Sequence, residues 1–264
     1  MAIPESGATL FRGQLSAEFD ALDAVIDDTG DALLRLQPGS ESEVIRLAVA
    51  ERALTVLHGA RLLMEEGHWE LAAGAARQMF EVLVNVEHLL NQTDSEAGWE
   101  SYRRYGEAQF FQAGLRKLKY AVANGYNDEN GQIGVFEATL ADARFDEFRH
   151  QKGHIRDSWT GISVEKLASS SRVPDRTAQY RYFYRTWSEQ THGSPSSLIS
   201  SITPRAASNG LEQELARVGR ESRQEIVILI SLFSDLASAL GIFGSNHRAM
   251  VAVWREKLTQ NAHL

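Results

Sequence analysis

The stretch from Ala72 to Leu90, AAGAARQMFEVLVNVEHLL, is apolar around most of a helical circumference. A helix of this kind is stable only when other helices surround it, so it belongs in the middle of a bundle. The rest of the chain agrees. Only five prolines interrupt 264 residues, apolar side chains recur at helical spacing over long stretches, and no segment alternates as a half-buried strand would. The expected architecture is all-α, a multi-helix bundle with peripheral helices.

Local signals divide the chain. A first helix is predicted from Leu15 to Leu36, with Phe19, Leu22, Val25 and Ile26 on one face, ended by Pro38-Gly39. Ser40 and Glu43 form an S-x-x-E capping box that opens a helix through Met64, and Gly67 separates it from one spanning His68 to Asn91. Thr93 with Glu96 repeats the box and starts a helix to about Ala123; the ANGYNDENGQIG segment after it reads as a loop. Further helices are predicted at Val135–His150, Ser163–Ser169, Pro174–His192, Gly210–Leu240 and Ser245–Leu258. With no repeat and no low-complexity linker, one domain over residues 1–264 is expected, its core at about 45–200 and the terminal helices packed upon it.

Composition removes several chemistries. There is no cysteine, which excludes disulfides, thiolate catalysis and cysteine-bound metals. With 27 basic and 35 acidic residues the formal charge is −8, which argues against broad charge-driven binding to nucleic acid. The N-terminus lacks the basic and apolar regions of a signal peptide, so a cytoplasmic location is expected. The most membrane-like run, Ile226 to Gly244, carries Asp235 at its middle and reads as a buried core helix, so no membrane partner is expected.

Two polar stripes hold the candidate chemistry. Tyr184, Ser188 and His192 stand four residues apart and so share a helix face, with Arg185 beside them. Arg77, Glu81, Asn85 and His88 interrupt the apolar helix within an arc of about 80°. One reading is a self-satisfied Arg77–Glu81 pair at i,i+4. The sharper one is that the two stripes face each other across a cleft, His192 acting as base, Arg185 or Arg77 as phosphate partner, and Tyr184 and Ser188 as orienting groups. Arg185 and His192 fit an R-x(6)-H pattern about 20° apart on a helix; Arg149 and His154 fit R-x(4)-H but would lie about 140° apart, and read as a solvated helix end. These spacings resemble the motif of the HEPN nucleases. That resemblance implies a small helical bundle that pairs with a second copy and cleaves RNA without cofactor or metal.

Other chemistries find less support. Glu189–His192 and Glu65–His68 are E-x-x-H pairs of the kind di-metal bundles use, but Gly67 places the second across a helix end and no clear partner exists on a third helix beyond Glu107. No G-x-S-x-G elbow, dinucleotide fingerprint or phosphate loop is present. Tyr180, Tyr182, Phe183, Tyr184 and Trp187 offer faces for base stacking, although such clusters usually pack a core.

Three segments also resemble a bacterial family of uncharacterised helical proteins: A-R-x-x-x-E at Ala76–Glu81, a W-to-A segment from Trp159 to Ala168, and Y-x-x-x-S-x-x-x-H at Tyr184, Ser188 and His192, followed by a turn of small residues. The resemblance spans roughly residues 45 to 200 and implies no particular activity. Three functions therefore stand: HEPN-like RNA cleavage or processing, a non-catalytic interaction module of a bacterial defence or stress system, and a di-metal enzyme.

Overall fold

A computed structural model describes residues 13–128, 130–150, 153–191 and 210–241, with positions 253 and 256. The elements are α1 (Ser16–Leu33), α2 (Glu41–Glu65), α3 (Trp69–Leu90), α4 (Ser95–Ala123), α5 (Gln132–Leu140), a 3₁₀ turn (Ala143–Phe148), α6 (Val164–Ser170), α7 (Arg176–Gln179), a π turn (Tyr180–Tyr184), α8 (Arg185–Thr191) and α9 (Gly210–Leu240). The chain is all-α. Among the described residues the only extended pairing is an isolated bridge between Arg149 and Ile155. The helix predicted at Ser245–Leu258 lies outside the described residues.

Capping explains most boundaries. Ser40 accepts from the backbone N–H of Glu43 at 3.3 Å, while the Glu43 carboxylate accepts from that of Gly39 at 2.6 Å. The box therefore reaches one residue further back than the standard pattern. At the next box the structure corrects the reading: Asp94 caps α4, accepting from Ala97 N–H at 3.0 Å, because a carboxylate there also faces the positive end of the helix. The predicted Val135–His150 helix is two elements. Asp142 turns the chain by accepting from Arg144 N–H at 2.9 Å, and the run continues as the 3₁₀ turn.

The chain divides into two compact units, Met1–His88 with Leu167–Leu264, and Leu89–Lys166. In the first, α1 and α2 pack together and α9 packs on both. Leu22, Val25, Leu57, Met64, Ile226, Leu229, Ile230 and Phe233 fill its core, and Ala72, Ala73 and Ala76 make a fully buried small-residue stripe on α3. Arg61 ties α2 to α1 through a bidentate pair with Asp23 at 2.5 and 3.1 Å. No described helix is long and apolar enough to cross a membrane. In Ile226–Leu240 the apolar residues are instead core, as expected, with Ile226, Leu229, Phe233 and Leu236 at 1% exposure or less.

The second unit is aromatic. Trp99, Tyr102 and Trp159 stack edge to face, and Tyr105 packs on Phe148 while donating to the carbonyl of Arg156 at 2.8 Å. Gly114 lets α5 approach α4, since a β-carbon there would lie 2.5 Å from the Phe136 ring. Gly131, with φ 60°, precedes α5, whose first N–H groups are taken by both carboxylate oxygens of Asp128.

Candidate functional site

The helical run from Arg176 to Thr191 is not uniform. Its middle turn, Tyr180–Tyr184, is wound as a π helix, a geometry that often marks functional positions. Tyr180 and Tyr184 stack at 5.1 Å across it. From there the Tyr184 hydroxyl donates to Glu81 Oε1 on α3 at 2.6 Å. Arg77, one turn before Glu81, holds the same oxygen at 3.3 Å and lays its guanidinium 5.0 Å from the centre of the Tyr184 ring. Phe80 packs 5.7 Å from that ring and closes the apolar side. The two polar stripes thus meet at Arg77, Glu81 and Tyr184.

Burial, with the bond to Glu81, pushes the Tyr184 phenol up to about 12, so it is a neutral donor at physiological pH. Burial works against the charge on Arg77, yet Tyr184 and Glu81 outweigh it and hold the guanidinium above its ordinary value. Arg77 is 26% and Glu81 36% exposed, so the cluster opens partly to solvent.

The other predicted residues are placed less centrally. Ser188 is half-buried one turn beyond Tyr184, and Arg185 is exposed. His192 and the Glu189 side chain lie outside the described residues. Asn85 turns back along its own helix, donating to the Glu81 carbonyl at 2.7 Å. Burial lowers the His88 imidazole below its usual value. Among the aromatics Tyr184 and Trp187 are buried, while Tyr182 is 74% exposed.

Arg149 caps the C-terminal end of the 3₁₀ turn, as a helix-end residue would, while His154 lies beyond Gly153 and does not share that helix. Residues around Gly153 (φ 80°) make a tight turn, with His150 N–H donating to the His154 carbonyl at 2.8 Å. The Arg149 guanidinium points back the other way, onto the carbonyls of Leu140 and Asp142 and onto Asp146. Glu65 ends α2 and pairs with Arg61 at 2.6 Å, and His68 follows Gly67 beyond that end. Among the described residues no group of three or more His, Asp or Glu could hold a metal ion.

One network was missed from sequence. Arg176 is 2% exposed and donates to Glu87 Oε1 at 2.9 and 2.6 Å and to Gln179 at 2.8 Å; Asp235 lies 3.0 Å from its other terminal nitrogen. Ser171 donates to the second Glu87 oxygen at 2.7 Å. Asp235 was the available signal, since a carboxylate midway along an apolar helix requires a cation.

No curated protein and no solved structure matches the chain. A family model does, over residues 44–209, a span that contains both polar stripes and the π turn between α7 and α8. That match covers more than half of the sequence, and the chain belongs to the family it describes, a family of unknown function (DUF5677).

Proposed function

We propose that the Arg77–Glu81–Tyr184 cluster, extended by Ser188 and His192, is a HEPN-like centre for metal-independent RNA cleavage or processing. The observation that carries it is the Tyr184–Glu81 bond, which gathers a cation, a carboxylate and a neutral hydroxyl donor from two helices into one partly open place. Exposed Arg181 and Arg185, one turn apart, flank exposed Tyr182 and offer a local grip for phosphate and base despite the net negative charge. In this reading His192 takes the 2′-hydroxyl proton, the 2′-oxygen attacks phosphorus, and the 5′-oxygen leaves with a proton from solvent. Arg77 and Arg185 balance the phosphorane charge, and Tyr184, its hydroxyl proton held by Glu81, orients Arg77 against its ring. Pairing with a second copy accompanies this function.

The second reading, a non-catalytic interaction module, is favoured by the mutual pairing of the cluster: Tyr184 and Arg77 both converge on one Glu81 oxygen, which by itself fixes helix register. RNA of mixed sequence in EDTA separates the two. Wild-type protein should cut it, and His192→Ala and Arg185→Ala should lose about 100-fold or more in rate without a lowered melting temperature. Intact RNA with wild-type protein, or unchanged cutting by both variants, removes the nuclease reading and leaves the module.

A further inference from the structure

Glu225, on α9, is 2% exposed, and neither of its carboxylate oxygens has a hydrogen-bond partner. It lines a cavity of about 200 Å³ together with Trp69, Tyr182, Phe183, Trp187 and Glu221. A buried carboxylate without a partner is an expensive arrangement, and proteins keep such groups mainly where they act. Burial and the neighbouring Glu221 raise its proton affinity well above the usual carboxylate range.

The walls say what would satisfy it. Both acidic residues at the cavity lie one turn apart on the same helix, so the space favours positive charge. Its other walls are aromatic: Phe183 and Trp187 stack at 5.5 Å, and Trp69 already receives a guanidinium on its ring, that of Arg217 at 5.4 Å. Arg217 is turned to Glu70, at 3.7 Å, and makes no bond to Glu225. Two bare oxygens need two N–H donors, which a quaternary ammonium lacks and a guanidinium presents as a planar fork that also stacks on aromatic rings. The volume is below that of ordinary drug-sized sites, so the ligand is small.

We propose that this cavity is a binding site for a small guanidinium compound, held by Glu225 through paired hydrogen bonds and by the faces of Trp69, Phe183 and Trp187. The proposal does not rest on the RNA reading, although Tyr182 at the cavity's edge also belongs to the grip proposed there.

Calorimetric titration of the full chain with agmatine tests it, with tetramethylammonium and an acetyl-Gly-Arg-Gly-amide tripeptide as parallel probes. Agmatine should bind saturably and quench tryptophan fluorescence. Tetramethylammonium and the tripeptide should bind about tenfold or more weakly, and Glu225→Gln should lose about tenfold or more in agmatine affinity while melting no lower than wild type. Absence of saturable agmatine binding, equal affinity in Glu225→Gln, or equal binding of tetramethylammonium overturns the proposal. Tighter binding of the tripeptide overturns its assignment to a free small molecule.

Discussion

Two turns of α9 carry acidic residues, and the chain treats them in opposite ways. Asp235, toward its C-terminal end, meets Arg176, which is also clamped by Glu87 and Gln179. Glu225, ten residues earlier, is as deeply buried as that arginine, at 2% exposure each against 28% for the Asp235 side chain, and meets no hydrogen-bond donor. The first arrangement resolves its own electrostatics and needs nothing from outside. The second is complete only when something positive arrives. Burial alone therefore does not separate structural from functional charge; the presence of a resident partner does.

The comparison breaks most visibly at Arg176. Replacing it with Met takes away the buried cation that Glu87 holds, and should cost about 3–5 kcal/mol in urea unfolding at pH 7. A loss below about 1 kcal/mol would show that the two acids find other partners and that the contrast is only apparent.

At Glu225 the sign reverses. Its folded-state proton affinity is raised, so the wild-type chain is penalised as pH climbs above the unfolded carboxyl value of about 4.3. Glu225→Gln should therefore gain about 1–2 kcal/mol at pH 8, the gain vanishing near pH 4. Melting curves across that range measure it; a destabilised variant would mean that Glu225 is already satisfied.

Tyr184→Phe sharpens the scale between these extremes. The hydrogen bond it removes ends on a carboxylate that is 36% exposed, so a loss of about 1 kcal/mol is expected by chemical denaturation. The smallest effect belongs to Arg103→Ala. Its bond to Glu100 is short, at 2.7 Å, but about two-fifths of each side chain is exposed, and the change should stay within about 0.5 kcal/mol.

The helices were legible because apolar period and caps act locally, and Ser40, Gly67 and Gly131 punctuate them within a few residues. The polar stripe on α3 was legible for the same reason, since Arg77 and Glu81 are a turn apart. Its meeting with Tyr184 was readable only as an expectation, because the partners lie 103 positions apart. Arg176 and Glu225 escaped notice for opposite reasons. Arg176 sits in a polar turn, SSSRVPDR, where an arginine looks solvated until Glu87 and Asp235 converge on it. Glu225 sits in a charged run, RESRQE, where a glutamate looks like surface until α3 and α8 cover it. The Val135–His150 helix failed because Asp142 offers the backbone a competing turn that apolar spacing does not register.

The π turn at Tyr180–Tyr184 has a further consequence, one of phase. It lodges one more residue in its turn than an α helix would. That surplus residue sets the angular offset at which everything after it emerges. Tyr184 points to Glu81 while Phe183 and Trp187 line the wall before Glu225. Deleting a single residue there would relax the turn and rotate both faces together, so the chain length of this segment is itself part of the design, constrained to the residue even where the side chains are free to vary.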